Sequence, residues 1–372
     1  MRVLLTGGGT SGHVNPALAI ADIIKAHDPS AEIAYIGTER GIEKKLAENE
    51  FYQFYPINIR GFRRSLSPSN IKTAYTALTA PSKARKIIEK FRPDIVIGTG
   101  GYVCWPLLKA ASSMGVPTVV HESNAIAGVA VKQLKNKVDV IMTNFESTAD
   151  NLKAKAKVMR VGNPISADFG RIDKAEARRA LGIPENVRTV ILSCGGSLGA
   201  RKVNEAALSL MRELSGKRSD VMHFHASGRN DAEYARQTLA EYGLEGRKNI
   251  VMSEYIYNMP TVMAAADIVI CRAGAMTLSE LAAMGRAAVI IPSPNVTDNH
   301  QYKNAKVLAD ADAAVLIEEK ELTDGRLTAE VERLVQDADA RAKMEKNISA
   351  FASKKVGRTI YEEICRLVKE KK

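Results

Sequence analysis

Several short stretches of this 372-residue chain gather residue types that can do chemistry. Gly7-Gly8-Gly9-Thr10-Ser11-Gly12-His13 formally contains G-x-G-x-x-G, through Gly7, Gly9 and Gly12. Glycines let a backbone approach a phosphate closely, and a following helix start offers N–H groups and a positive dipole end. Asn15 and Pro16 fit an N-cap and a first helical position, so a helix is expected from about Asn15. His13 lies in the same loop, and an imidazole with an ordinary pKa of about 6.5 suits proton transfer near neutrality. Three readings of this loop stay open: a structural turn, a phosphate or sugar contact, and a dinucleotide site. The last needs an acid closing the second strand, but that strand ends in Ile36-Gly37-Thr38, with Glu39 displaced.

Other loops have the same character. Gly98-Thr99-Gly100-Gly101-Tyr102 and His121-Glu122-Ser123-Asn124 each follow an apolar run, and Gly195-Gly196-Ser197-Leu198-Gly199-Ala200 repeats the logic of the first loop. In Arg272–Glu280, Thr277 and Glu280 match a capping box. The rival reading has a small-residue loop and helix start holding a diphosphate, with Glu280 on the ribose hydroxyls. In Asp298–Asn304, Asp298 as a cap with Gln301 at N3 competes with a substrate-binding loop. His223 and His225 alternate on a strand, which fits packing on one face, and His27 reads as surface. Cys104, Cys194, Cys271 and Cys365 have no metal-ligand spacing and read as free thiols of a reducing compartment. Asp310, Asp312, Asp337 and Asp339 close no strand, so no metal site is expected.

The elements that must hold these loops are strands alternating with helices. Arg2–Thr6, Glu32–Ile36, Asp94–Gly98, Thr118–His121 and Val138–Thr143 form a first series of strand-like runs, which VGNPIS (161–166) closes. A charged helix follows at Lys174–Leu181. The rhythm then restarts with Thr189–Ser193, Met222–Ala226, Asn249–Met252, Asp267–Cys271 and Ala288–Pro292. Such βαβ rhythm implies parallel sheets covered by helices on both faces. Two consecutive doubly wound α/β domains are expected, 1–164 and 165–355, with an amphipathic helix at 356–368. Ligands of such sheets sit beyond the carboxyl ends of the strands, and two such sheets facing each other would make a cleft lined by loops of both.

Composition narrows the class. Hydrophobic residues at 45% and charged residues at 26% are ordinary for a globular chain, which excludes a mainly disordered or fibrous protein. No apolar run approaches the ~18 residues of a membrane span, and the start has no signal-peptide pattern, which places the chain on the cytoplasmic side. The net charge is +11. Residues 1–165 carry 22 basic and 13 acidic side chains, and residues 60–92 carry nine basic ones (Arg60, Arg63, Arg64, Lys72, Lys83, Arg85, Lys86, Lys90, Arg92) against Glu89. Localised basic charge calls for an anionic partner: nucleic acid, lipid surface or phosphorylated substrate.

Taken in order, GGGTSGHVNPALA, GTGGYV, HESNAIAG, VGNP, GGSLGAR, CRAGAMTLSELAAMG and DNHQYKNA resemble the MurG family of bacterial glycosyltransferases, from residue 3 to about 310. The resemblance implies a GT-B fold: two Rossmann-like domains, with the C-terminal helix packing back on the first. It implies inverting transfer of GlcNAc from UDP-GlcNAc to the 4-hydroxyl of MurNAc in lipid I, giving lipid II, with no metal or other cofactor. The N-terminal domain would bind the lipid acceptor and the membrane, and the C-terminal domain the nucleotide sugar.

Carried over by residue, the resemblance puts Glu280 on the ribose. Ala275, Met276, Thr277 and the helix start through Leu278 and Ser279 fall along the diphosphate, with Ser197 nearby. Ile256 falls at the uracil and Gln301 on the sugar hydroxyls. Thr10, Ser11, Gly12 and Asn124 match donor-sugar contacts from the first domain. His13, Tyr102 and Glu122 surround the acceptor, with His13 preferred as general base and Glu122 as its rival. The basic segment 60–92, with Phe62, Leu66, Ile71, Tyr75 and Leu78, would meet the anionic inner leaflet, making the protein peripheral on the cytoplasmic face of the membrane. No nucleic-acid-reading motif is present. Three features depart from the family: Ile165-Ser166 where a basic residue is frequent, Ser123 in place of Gln, and Trp105, the sole tryptophan, where small residues are common. Trp105 reads either as core or as a membrane-interface contact. The alternative enzyme is another GT-B UDP-sugar enzyme, such as a UDP-GlcNAc 2-epimerase.

Overall fold

A computed structural model describes residues 1–59, 69–322, 325–353 and 355–371; the side chains of Ser11, 69–75, 77 and 78 also lie outside the description. The chain forms two compact units, one of residues 1–165 with 353–372 and one of residues 166–352. The first unit runs β1 (Arg2–Thr6), α1 (Ser11–His27), β2 (Glu32–Gly37), α2 (Ile42–Asn49), β3 (Gln53–Pro56), α3 (Ser69–Phe91), β4 (Ile95–Gly98), α4 (Cys104–Ser113), β5 (Thr118–Glu122), α5 (Val129–Leu134), β6 (Val140–Thr143), α6 (Glu146–Asn151) and β7 (Lys157–Arg160). The second runs α7 (Lys174–Ala180), β8 (Thr189–Cys194), α8 (Arg201–Leu210), β9 (Val221–Ala226), α9 (Ala232–Glu241), β10 (Ile250–Ser253), α10 (Met259–Ala265), β11 (Ile268–Cys271), α11 (Ala275–Met284), β12 (Ala287–Ile290), α12 (His300–Ala309), β13 (Val315–Leu316), α13 (Arg326–Gln336) and α14 (Ala338–Ser349). Helix α15 (Val356–Glu370) returns to the first unit.

Among the described residues the first sheet has the order β3-β2-β1-β4-β5-β6-β7 and the second β10-β9-β8-β11-β12-β13, with every pairing parallel. Both are the doubly wound order, in which the order of successive strands reverses beside the first strand. The reversal falls between β1 and β4 in one unit and between β8 and β11 in the other. Strands β1, β4 and β8 lead into the Gly-rich loops at Gly7, Gly98 and Gly195, and β11 into the small-residue loop at Arg272.

Strand alternation divides the first core into two layers. Leu4 and Ile36 face one cluster with Leu107 and Leu108 of α4, while Val3, Leu5 and Tyr35 face the other with Ala17, Ile20 and Ile24 of α1. Helix α15 completes that second layer with Ile360, Ile364, Leu367 and Val368, spaced as one helical face. It is pinned at its rim by Lys157–Glu363 at 2.9 Å and Lys371–Asp139 at 2.9 Å. His27, at the exposed end of α1, stacks on Tyr361 of this helix at 4.5 Å.

Three strands were not expected. β3 and β7 are edge strands with exposed ends and half-buried middles, and β13 is a two-residue edge. None carries the continuous apolar run by which a doubly covered strand is recognised. Helix α1 begins at Ser11, four residues before the expected start, and Pro16 lies inside it. Thr10 is the extended residue before the helix, and its carbonyl takes both the His13 and Val14 N–H groups.

Candidate active site

The switch point of the first unit is two loops locked together. The Gly8 N–H reaches the Gly100 carbonyl at 3.4 Å, and the Thr99 N–H donates to the Thr6 carbonyl at 2.9 Å. Gly100 adopts φ +107°, and a Cβ there would stand 2.6 Å from Nδ1 of His13, so only glycine lets the imidazole lie against this loop. His13 itself is half-buried in the first turn of α1. Its Nδ1 is 3.1 Å from the Thr99 carbonyl oxygen. A carbonyl only accepts, so Nδ1 carries the proton and, in the neutral ring, the lone pair sits on Nε2.

Tyr102 covers the first loop from the other side. Burial raises the pKa of its hydroxyl, a shift that the neighbouring Thr38 opposes. Thr38 in turn donates its main-chain N–H (2.9 Å) and its hydroxyl (2.7 Å) to Oε1 of Glu43, a fully buried carboxylate whose Oε2 has no hydrogen-bond partner among the described residues. Sequence reasoning missed Glu43, because an acid near the start of a short helix reads as solvated. Glu39, the acid considered for a dinucleotide ribose, is exposed and paired with Lys44.

Glu122 is buried, and its two oxygens accept from the Asn124 N–H (3.0 Å), the Asn124 side-chain amide (3.0 Å) and the Gly128 N–H (2.7 Å). These bonds tie the carboxylate to the backbone and side chain of its own loop, residues 122–128. Beside it, buried His121 bonds the Gly162 carbonyl at 2.9 Å, and burial pushes its pKa down to about 4. Thr10 and Gly12 are exposed at the helix start; the Ser11 side chain lies outside the described residues.

The second unit repeats the interlocking. Gly199, at φ +89°, lies against the Ser227–Gly228 backbone, and Arg229 and Asn230 donate to the Ser197 (3.2 Å) and Leu198 (3.0 Å) carbonyls. Ser197 is exposed at the loop tip. Across the switch point α11 starts at Ala275, with Gly274 as its N-cap. Thr277 is thus the third helical residue and Glu280 the sixth, so they form no capping box. By helix geometry residues 275–277 direct their N–H groups out of the helix start. Leu278 does not belong to that edge: its side chain is buried and its N–H donates to the Gly274 carbonyl at 3.0 Å. The Ser279 hydroxyl donates back to the Ala275 carbonyl at 3.1 Å. Burial raises the Glu280 carboxyl to about 7.

Arg272, which begins this motif, is a strut. It donates to the Ile291 (3.2 Å) and Pro292 (3.1 Å) carbonyls and pairs with Glu319. The Gln301 carbonyl oxygen accepts from the Ser293 N–H at 2.8 Å, which orients the NH2 on the same terminal amide. Asp298 is no cap: Asn299 holds that position, and both are left-handed, at φ +53° and +50°. Ile256 is buried and lines a cavity of about 330 Å³ with Phe224, Val251, Tyr255 and Val262. His223 and His225 are buried and bridged by the Ser193 hydroxyl at 2.8 and 2.7 Å. Asp310 and Asp312 pair with Lys306 and Lys343, and Asp337 caps α14.

The glycosyltransferase family 28 N-terminal domain matches residues 3–143, and the family 28 C-terminal domain matches residues 190–359. A protein of Acetivibrio thermocellus named UDP-N-acetylglucosamine--N-acetylmuramyl-(pentapeptide) pyrophosphoryl-undecaprenol N-acetylglucosamine transferase is 40% identical over 371 residues, covering 100% of this chain and 99% of the relative. One of the same name from Lactiplantibacillus plantarum is 40% identical over 347 residues, covering 93% and 94%. The chain belongs to the MurG family of glycosyltransferases. The crystal structure of Acinetobacter baumannii MurG superposes with a TM-score of 0.79 at 28% identity, covering 98% of this chain and 99% of that one. UDP-GlcNAc 2-epimerase from Neisseria meningitidis, bound to UDP-GlcNAc, reaches a TM-score of 0.66 at 15% identity over 98% and 100%, a likeness of fold alone. The MurG relatives carry the resemblance through the whole sequence, so the MurG reading stands over the epimerase alternative, and the two parallel-sheet units are those of a GT-B glycosyltransferase.

Proposed function

We propose that this chain transfers GlcNAc from UDP-GlcNAc to the 4-hydroxyl of the MurNAc unit of a polyprenyl-diphosphate-linked MurNAc-pentapeptide, with inversion and without a required metal. The observation that carries the proposal is the His13 Nδ1 contact with the Thr99 carbonyl, which sets the Nε2 lone pair at the switch-point loop of a MurG-family chain.

In this reading His13 Nε2 takes the proton of the acceptor hydroxyl while its oxygen bonds to C1 of GlcNAc. The bond from C1 to the β-phosphate oxygen breaks through an oxocarbenium-like state, and UDP leaves with the electron pair. One displacement by one nucleophile inverts C1. The start of α11 at Ala275, Met276 and Thr277, with the Ser197 loop, meets the growing diphosphate charge through preorganised N–H groups. Glu280 accepts from the ribose hydroxyls, the main chain at Ile256 meets the uracil, and the Gln301 amide donates to a sugar hydroxyl. Thr10, Ser11, Gly12 and Asn124 complete the sugar contacts, and Tyr102 borders the acceptor.

The acceptor chemistry also assigns a task to the basic segment. Lys83, Arg85, Lys86, Lys90 and Arg92 are exposed at the end of α3. Arg60, Phe62, Arg63, Arg64 and Leu66, and the side chains of Ile71, Lys72, Tyr75 and Leu78, lie outside the described residues. Near an anionic leaflet each cation contributes about 1 kcal/mol. No helix among the described residues is long and apolar enough to cross a membrane, so attachment through this segment on the cytoplasmic face is the proposed mode.

The test is UDP release from UDP-GlcNAc in EDTA, with and without a short-chain lipid I analogue. Release that needs the acceptor and survives EDTA is the expected result. Release without acceptor contradicts transfer, and loss in EDTA contradicts metal independence.

A further inference from the structure

We propose that Thr99 is a positioning residue for His13, holding the histidine by two bonds and fixing the tautomer that accepts a proton at Nε2. The inference rests on His13 being the base.

Thr99 is itself fixed, because its N–H donates to the Thr6 carbonyl at the end of β1 at 2.9 Å. Its hydroxyl lies 2.5 Å from the His13 carbonyl and 3.3 Å from the Thr6 carbonyl. One hydroxyl has one proton, and the shorter contact goes to His13. Its own carbonyl accepts from His13 Nδ1 at 3.1 Å. Two residues 86 apart in sequence thus close a ring of two bonds, side chain to backbone in each direction. Gly7 and Gly100 are the residues whose lack of a Cβ permits this: one at Gly7 would overlap the Thr99 hydroxyl, and one at Gly100 would strike the imidazole. Thr99 is only 2% exposed, so packing alone would be met as well by valine.

The consequence for catalysis is specific. A neutral imidazole in water exchanges between two tautomers, and one of them presents an N–H to the acceptor hydroxyl instead of a lone pair. A ring clamped at Nδ1 presents the lone pair alone. As the proton arrives on Nε2 the ring becomes a cation, and its Nδ1–H bond to the Thr99 carbonyl becomes charge-assisted, so the clamp strengthens in the transition state.

The test compares Thr99→Val, which keeps the shape and removes the hydroxyl, with Thr99→Ser, which keeps the hydroxyl. Three quantities are read: kcat, the KM for UDP-GlcNAc, and the ring ¹⁵N shifts of His13, assigned by their loss in His13→Gln. In the unaltered protein the ring should be protonated on Nδ1. Thr99→Val keeps the carbonyl, so the ring should stay protonated on Nδ1 while kcat falls about 10- to 100-fold, because the His13 main chain is no longer held, with donor KM within about twofold. Thr99→Ser should restore kcat. A neutral ring protonated on Nε2 in the unaltered protein overturns the proposal, whether or not Thr99→Val folds. So do equal losses in both variants, or full activity in Thr99→Val. If His13→Ala transfers normally, the base assignment fails by itself, while the ¹⁵N shifts still report on the clamp.

Discussion

The carboxylate of Glu122 accepts the Gly128 main-chain N–H at 2.7 Å, bridging a loop of its own chain. With the two Asn124 donors it forms the frame of residues 122–128. Glu122→Ala would leave buried N–H groups without acceptors, at a cost of about 2–4 kcal/mol. Glu122→Gln would turn an NH2 toward N–H donors and should also lower the unfolding midpoint. The discriminating measurement is the pH profile of kcat: with His13 as the proposed base, Glu122→Gln should keep the base-dependent limb. Loss of that limb in Glu122→Gln alone would return the base to Glu122.

If Glu280 holds the ribose as proposed, nucleotide affinity should depend on pH. Burial raises its carboxyl to about 7, whereas an exposed glutamate titrates near ~4.3. Ribose hydroxyls donate, so the ionised form is the one that binds. Below pH 7 the free protein holds a proton there that UDP must expel, and UDP affinity should fall toward tenfold per pH unit. The raised value also means that the folded state binds this proton more tightly than the unfolded chain does. Its contribution to stability is present below about pH 4 and lost as pH rises through 7. Calorimetric titration of UDP between pH 5.5 and 8.5 should show the slope, and Glu280→Gln should flatten it with weaker binding throughout. An equally steep slope in Glu280→Gln would remove the residue from this role.

Three buried histidines predict acid lability. Burial lowers His121 and His225 to about 4 and His223 to about 3. Above about pH 6.5 they are neutral both folded and unfolded and contribute no pH dependence. Below it the unfolded chain takes up protons that the folded chain refuses, so stability falls as pH drops from 6.5 toward 4. Each histidine adds up to about 1.4 kcal/mol per pH unit in that window. Denaturant unfolding at several pH values should show this, with a shallower acid limb in a His223→Gln, His225→Gln variant. A flat profile from pH 7 to 4.5 would contradict it.

Helix α15 is a structural part of the first unit. Ile364 is fully buried in the layer shared with α1 and β1, and Ile364→Ala should cost about 2–5 kcal/mol. Trp105, the sole tryptophan, lies on α4 of the same unit, half-buried against the other core layer, so its fluorescence follows that unit's unfolding. The transition seen by Trp105 should move to lower denaturant in Ile364→Ala. An unmoved transition would mean that the helix adds little to this core.

The central strands were legible because a strand covered on both faces is apolar throughout, as Ile95–Gly98 and Ile268–Cys271 are. The edge strands β3, β7 and β13 were not, since exposure breaks their pattern. The loops that carry the site were legible as clusters of glycine with polar residues, but the reason for each glycine was not. Gly100 is needed because His13, distant in sequence, lies against it. Helix starts misled twice. Asn15-Pro16 has the look of a cap, yet α1 begins at Ser11, and Thr277–Glu280 has the spacing of a capping box, yet α11 begins at Ala275. Local signals of this kind state what a segment prefers, and the strand–loop geometry decided where each helix began. Thr99 and Glu43 stayed hidden for the same reason: their roles exist only through partners brought together by the sheet.

The account stands on His13 as the group that takes the acceptor proton. The most direct measurement is single-turnover transfer by His13→Ala, with saturating UDP-GlcNAc and a soluble lipid I analogue, beside calorimetric binding of UDP to the same variant. The account predicts a rate about 10²–10⁴-fold lower with UDP affinity within about twofold of the unaltered protein. A rate within about threefold of the unaltered protein, at unchanged UDP affinity, would contradict it.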